Sequence, residues 1–187
     1  MIDDDTLVGA VLSDSRDKMA KAVRHTQEDF AGVRTGRPSP GLIQNLKIEY
    51  YGAETPLQQL AQIGVQERTL VVTPYDKGQA KVIEKAIRDS DLGLEPSNMG
   101  GVIRVPLPAL NEQRRKELVK IVHKLAEEGR VAIRHARTDA RDRLKKLEGV
   151  PEDDKKHAEK ELQKLHDDYI SKVEALLKAK EAEIMEV

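Results

Sequence analysis

Helical periodicity in the C-terminal part of the chain is the feature that most constrains the fold. From Glu112 onward, apolar residues recur every three or four positions, and Gly149-Val150-Pro151 breaks the pattern. The pattern predicts one helix from Glu112 to Leu147 and another from Glu152 onward. Their predicted apolar faces are Leu118, Val122, Leu125, Ala132, Ala136, Ala140 and Leu147 in the first, and Ala158, Leu162, Leu165, Tyr169, Val173, Leu176 and Ile184 in the second. Because neither helix can bury its apolar face alone, both must pack in a bundle.

A third helix is predicted from Asp5 to about Val33, where apolar residues also recur at helical spacing. They are Leu7, Val11, Met19, Ala22, Val23, Phe30 and Val33. The three helices would form an elongated three-helix bundle from residues 1–31 and 107–187.

Residues 32–106 show a different pattern. The segment Arg34–Gly41 is dense in Gly and Pro, which interrupt helices, and indicates a linker. After it, short β-branched or apolar runs predict strands, and one stretch of helical spacing predicts a helix. The predicted strands are Leu46–Tyr50, Thr69–Thr73 and Val102–Leu107, and the predicted helix is Gly78–Asp91. We therefore expect an α+β protein, in which a small α/β domain of residues 32–106 is inserted into the bundle.

Two chain crossings would connect the inserted domain to the bundle. The residues expected at these crossings are Arg34, Thr35 and Gly36 in the first and Arg104, Val105 and Pro106 in the second. A two-strand hinge of this kind limits sliding of one domain past the other but permits a swing.

Charge is unevenly distributed, although the net charge of the chain is only -1. Residues 112–147 contain 12 Lys or Arg and six Asp or Glu, whereas residues 148–187 contain seven and 12. A basic helix of this kind suits a surface that binds a polyanion, but its cations could equally pair with the acidic helices of the fold. Charge alone leaves both interpretations open.

Four arginines of the predicted basic helix form one row: Arg130, Arg134, Arg137 and Arg141. At about 100° per residue they fall within an arc of about 60°, about 120° from the centre of the apolar face, so we expect them to point to solvent. Between Gly129 and Lys146 the only acidic residues are Asp139 and Asp142, which predicts little pairing along the helix. This favours a polyanion-binding row over a solvated face with ion pairs.

The composition of the chain indicates which polyanion would fit. The planar guanidinium group of arginine can bind phosphate through two parallel hydrogen bonds. The chain has four Tyr, one Phe and no Trp, so it offers no evident platform for stacking unpaired bases. We therefore expect recognition of structured RNA through its backbone and shape.

Catalytic, cofactor and membrane functions find no support in the sequence. There is no Cys, the five His lack a metal-ligand spacing, and Met99-Gly100-Gly101 is not part of a nucleotide-binding loop. The acidic runs Asp3–Asp5 and Glu152–Asp154 are interpreted as favourable charges at helix starts. With neither a signal pattern nor an apolar stretch of about 20 residues, the chain is expected to be a cytoplasmic binding protein without cofactor or metal, not an enzyme.

Several short motifs, in order along the chain, resemble the bacterial ribosome recycling factor family. They are Arg34-Thr35-Gly36-Arg37 with Ser39-Pro40, Glu49-Tyr50-Tyr51-Gly52, Thr55-Pro56-Leu57, Gln59-Leu60-Ala61, Glu84-Lys85-Ala86-Ile87, Ser90-Asp91-Leu92-Gly93-Leu94, Ile103-Arg104-Val105-Pro106-Leu107-Pro108, Arg114-Arg115-Lys116, Arg130-Val131-Ala132-Ile133-Arg134 and Lys180-Glu181-Ala182-Glu183. The resemblance covers nearly the whole chain.

This resemblance implies an L-shaped monomer that binds the ribosome after termination. With elongation factor G and its GTP, such a protein separates the subunits and so releases mRNA and tRNA, without performing chemistry itself. The bundle would lie across large-subunit rRNA, and the inserted domain would swing and meet the GTPase. Arg130, Arg134 and Arg137 match the arginines of the family that contact rRNA, whereas Arg141 rests on helix geometry alone.

The sequence departs from the family pattern at two places. Thr138 stands where the family often has a second arginine, which removes one expected cation. Where the family often has Pro-Pro-Leu-Thr-Glu-Glu, this chain has Pro108-Ala109-Leu110-Asn111-Glu112-Gln113, in which Asn111 remains a competent N-cap for the basic helix. The rival interpretations are a helical scaffold that binds proteins, which would need a large exposed apolar patch, and a hydrolase, which would need clustered carboxylates or a phosphate-binding loop.

Overall fold

A computed structural model of the chain describes residues 6–186, so the predicted helix-start charges Asp3–Asp5 lie outside the described residues. Within residues 6–186 there are three long α-helices, two shorter α-helices of four and nine residues, six strands, and two 3-10 turns at Pro40–Leu42 and Lys77–Gln79. In chain order the elements are α1 (Leu7–Ala31), β1 (Lys47–Tyr50), β2 (Ala53–Pro56), α2 (Leu57–Leu60), β3 (Ala61–Gln66), β4 (Thr69–Pro74), α3 (Ala80–Arg88), β5 (Ser97–Met99), β6 (Val102–Pro106), α4 (Glu112–Lys146) and α5 (Glu152–Met185). The predicted α+β fold class is confirmed.

The chain divides into two compact units. One consists of the chain up to Phe30 together with Lys120–Glu181, and the other of Ala31–Val119 together with the chain from Ala182 onward. The first unit contains most of α1, α4 and α5, and the second contains the strands. The division into domains at residues 31–32 and 106–107 stays a prediction.

The ends of the long helices follow the sequence signals closely. Asn111 caps α4, because its Oδ1 accepts a hydrogen bond from Arg114 N at 2.7 Å. After α4, Gly149 has a φ of 73°, which glycine adopts without steric cost. The first turn of α5 contains Glu152, Asp153 and Asp154, where negative charge is favourable.

The buried face of α4 differs in part from the predicted one. It consists of Leu118, Val122, Ala126, Gly129, Ile133, Ala136, Ala140 and Leu144. Ala132, which the sequence placed in the core, is exposed, and Leu147 is only half-buried. The predicted apolar face continues from Leu125 directly to Ala132, and it therefore omits the small residues Ala126 and Gly129. In α1, Leu7 is likewise exposed, and Val8 is buried in its place.

The second unit contains two antiparallel sheets. A two-stranded sheet pairs β1 with β2, and a four-stranded sheet has the order β3-β4-β6-β5. Ile83 and Ile87 of α3 lie in the same buried cluster as Leu70 of β4 and Ile103 of β6. The sequence predicted β1, β4, β6 and α3, but not β2, β3 and β5. Strands β2 and β5 show little apolar alternation, whereas β3 was missed although Ala61, Ile63 and Val65 recur at every second position.

Candidate nucleic-acid interface

The four arginines of the predicted row lie along the edge of the buried face of α4. Each directly follows a buried residue: Gly129, Ile133, Ala136 and Ala140 precede Arg130, Arg134, Arg137 and Arg141, respectively. Since one residue corresponds to about 100° of rotation, the row flanks the core and does not lie opposite to it. Two of the arginines, Arg134 and Arg141, are exposed, whereas Arg130 and Arg137 are half-buried.

Arg130 is held by two carboxylates. Its Nε donates a hydrogen bond to Glu174 Oε1 of α5 at 2.6 Å, and its NH1 donates to Glu127 Oε2 at 2.8 Å. Only 18% of its side-chain surface is exposed. The hydrogen bond to Glu174 is the main cause that raises the pKa of Arg130, and partial burial opposes it. The position of this guanidinium group is therefore fixed from both α4 and α5.

Arg134 and Arg137 also donate hydrogen bonds to neighbouring side chains. The NH1 of Arg134 donates to Glu127 Oε1 at 3.0 Å, and 47% of its side-chain surface is exposed. The NH1 of Arg137 donates to Gln163 Oε1 of α5 at 3.1 Å. Gln163 in turn donates to Asp167 Oδ1 at 2.9 Å, so Arg137 adjoins a polar network on α5.

The expectation of few acidic partners is wrong for Arg130 and Arg134. Glu127 lies just before the stretch from Gly129 to Lys146, which contains only two acidic residues, and Glu174 lies on another helix. Hydrogen bonds from Arg130, and then from Arg134, lower the pKa of Glu127, which keeps its carboxylate charged. Asp139, by contrast, pairs with Lys18 of α1 at 3.2 Å.

Part of the positive charge of α4 is used within the fold. Arg143 NH1 lies 2.6 Å from Asp14 Oδ2 of α1, and Lys18 Nζ lies 3.0 Å from the same oxygen. The interpretation that cations of α4 pair with acidic helices of the fold therefore holds for Arg143, whereas Arg134 and Arg141 have exposed side chains.

The six predicted hinge residues lie in the second unit. The guanidinium group of Arg34 donates a hydrogen bond to the carbonyl of Pro108, and burial lowers the pKa of Arg34, followed by the charge of Arg114. The buried Thr35 accepts a hydrogen bond from Arg37 N at 3.2 Å through Oγ1, and Gly36 is exposed. The remaining three, Arg104, Val105 and Pro106, belong to β6, which pairs with β4. Their role as a hinge stays a prediction.

Residues 6–186 contain neither a metal-binding cluster nor a membrane-spanning helix. Within this range no group of three or more acidic, His or Cys side chains could hold a metal ion. The helices of the same range are too short or too polar to cross a membrane. Large apolar residues exposed on the long helices are Leu7, Ile121, Val131 and Met185.

Comparison with known proteins gives one consistent result. The sequence model of the family described as "Ribosome recycling factor" matches residues 26–185. The ribosome-recycling factor of Bacillus subtilis is 51% identical over 181 residues, which cover 95% of this chain and 98% of the relative. That of Acidothermus cellulolyticus is 49% identical over 188 residues, covering 98% and 99%.

Solved structures agree with this result. A solution structure of the ribosome recycling factor is 43% identical, covers 100% of both chains and superposes with a TM-score of 0.77. A second match is the T. thermophilus ribosome recycling factor, described together with E. coli elongation factor G on the E. coli post-termination complex. It is 46% identical, covers 97% of this chain and all of its own, and has a TM-score of 0.69.

Proposed function

The chain belongs to the ribosome recycling factor family and functions in ribosome recycling, and we propose that it acts by binding alone. In this proposal it binds the post-termination 70S ribosome as a monomer in the cytoplasm. With elongation factor G and GTP, it promotes dissociation into subunits and release of mRNA and tRNA. The main evidence for this function is the family match over residues 26–185. The related structure described with elongation factor G supports elongation factor G as the partner.

The proposed contact with the ribosome is the arginine row of α4. Arg130, Arg134, Arg137 and Arg141 would bind the phosphate backbone of large-subunit rRNA. The exposed side chains of Arg134 and Arg141 support this role, as does the anchoring of Arg130 by Glu174, because a fixed guanidinium group loses little freedom on binding. Phosphate contacts of this kind position a protein without reading sequence.

The proposed domain division assigns residues 1–31 and 107–187 to the ribosome-binding bundle and residues 32–106 to an inserted domain that swings. Because Arg104, Val105 and Pro106 are part of a paired strand, they would move with the sheet. The bending would then occur at Arg34–Gly36 and in the chain after Pro106.

A splitting assay tests the function directly. Post-termination 70S ribosomes are mixed with the chain, elongation factor G and GTP, and dissociation is followed by light scattering. Omission of the chain, of the GTPase or of GTP should each prevent dissociation. If ribosomes remained associated in the complete mixture while the chain was shown to be folded, the proposed function would be wrong.

A further inference from the structure

One carboxylate connects the first two arginines of the row. Glu127 Oε2 accepts a hydrogen bond from Arg130 NH1 at 2.8 Å, and Glu127 Oε1 accepts one from Arg134 NH1 at 3.0 Å. The two guanidinium groups, one turn apart on α4, thus share a single bidentate anion. A phosphate group offers the same kind of oxygen acceptors to the same donors.

We propose that Glu127 is an internal substitute for one RNA phosphate: it holds Arg130 and Arg134 ready to share that phosphate, and RNA must displace it to bind. This inference rests on the proposed function, in which the arginine row contacts rRNA. Glu127 therefore positions the two arginines in the free protein and weakens their binding to RNA.

The contacts of Arg130 explain how an RNA phosphate replaces Glu127 at the two arginines. Its Nε is bonded to Glu174, so the guanidinium group keeps its position when NH1 changes its partner from Glu127 to phosphate. Arg134, which is bonded to Glu127, is 47% exposed and can reorient toward solvent. Arg130 would thus remain in place, while Arg134 changes its orientation and binds the phosphate.

The exposure of Glu127 makes its displacement feasible. Its side chain is 49% exposed, and ion pairs in such surroundings are weak because water competes with both partners. Its lowered pKa means that the carboxylate stays ionised well below neutral pH, so it competes with phosphate as a full negative charge. A competing anion inside the site shortens the residence of a factor that must leave one ribosome before it acts on the next.

A purely structural role predicts a different outcome. Glu127 and Arg130 stand at positions i and i+3 of a helix, a spacing that also stabilises isolated helices. If stabilisation of α4 were its only role, neutralising Glu127 would lower stability slightly and leave RNA binding no stronger than a neutral change nearby.

The test compares Glu127→Gln with the matched control Glu128→Gln. Both side chains are exposed neighbours on α4, and both changes remove one negative charge. Affinity and dissociation rate are measured with isolated 50S subunits at graded KCl, and folding is checked by circular dichroism. Glu127→Gln should bind about threefold to tenfold more tightly than Glu128→Gln, chiefly through slower dissociation. Its salt dependence should also be steeper than that of Glu128→Gln, by up to about 0.9 in the slope of log K against log [salt].

The double variant Glu127→Gln/Arg134→Ala shows whether the gain in affinity depends on the arginines. If Glu127 acts through the arginines, most of the gain in affinity should vanish in this background. Equal affinities of Glu127→Gln and Glu128→Gln, or a gain that persists without Arg134, would overturn the inference. If the arginine row did not contact rRNA, the result would be different: Arg134→Ala alone would bind 50S subunits like the wild type.

Discussion

Gly129 of α4 lies directly against the side chain of Thr26 of α1. A methyl group added to Gly129 would stand 2.3 Å from Thr26 Oγ1 and 3.4 Å from its Cβ. Thr26 is only 2% exposed, and its hydroxyl donates a hydrogen bond to Ala22 O at 2.9 Å. This close approach of α1 and α4 occurs one residue before Arg130, so it also fixes the start of the arginine row.

The substitution Gly129→Ala should therefore destabilise the protein. Overpacking of a buried contact costs about 1–3 kcal/mol, which outweighs the gain of about 1 kcal/mol in helix propensity. Thr26 cannot easily turn away, because β-branched side chains have few rotamers in a helix. Urea unfolding measures the change, and Thr26→Ala in the same chain should recover part of it. A Gly129→Ala variant as stable as the wild type would show that the helices can separate at no cost.

The carboxylate of Asp14 should titrate at an unusually low pH. A hydrogen bond from Lys18, and then one from Arg143, lower its pKa below the ordinary value. A lowered pKa in the folded state stabilises the protein at pH values above the unfolded pKa, and this stabilisation is lost as the pH falls through the folded pKa. Carbon-13 NMR of the Asp14 carboxyl group measures the shift, which should diminish in Lys18→Met. An unchanged Asp14 pKa in that variant would exclude the pairing with Lys18 as a cause of the low pKa.

A thiol cross-link tests the proposed hinge. The chain contains no Cys, so Gly36→Cys and Ala109→Cys introduce the only thiols. Both positions line one cavity together with Arg115, and they lie in the two chain crossings that are proposed to bend. Joining them with a short bifunctional reagent should abolish subunit splitting and leave ribosome binding intact. The matched control carries the same two cysteines without the reagent. Undiminished splitting by the cross-linked protein would remove hinge motion from the mechanism.

The parts of the structure that depend on local signals were predictable from the sequence. The predicted helix from Glu112 to Leu147 differs from α4 by one residue at its end, because a capping Asn111 and the Gly149-Val150-Pro151 break mark its limits. The row of arginines follows from helical geometry alone.

What depends on packing between elements was not predictable. Gly129 has no apolar side chain to reveal that it belongs to the buried face of α4. Glu174, 44 positions from Arg130, shows no sequence relation to it, and only the packing of α5 against α4 brings the two together. Glu127 could have been found, since it lies three residues before Arg130 on the same helix. Strand β5 obtains its structure from pairing with β6, not from a pattern of its own. Strand β3 could have been found, because Ala61, Ile63 and Val65 recur at every second position.

The variant Arg134→Ala shows whether the arginine row binds large-subunit rRNA. Binding to 50S subunits is measured by co-sedimentation at graded KCl, with Arg24→Ala, an exposed arginine on α1, as the matched control. Arg134→Ala should weaken binding about tenfold or more and flatten the slope of log K against log [salt] by about 0.7 to 0.9. Its thermal stability should be nearly unchanged, because the side chain is exposed. If its affinity and salt dependence equalled those of the wild type, the arginine row would not be the contact with rRNA.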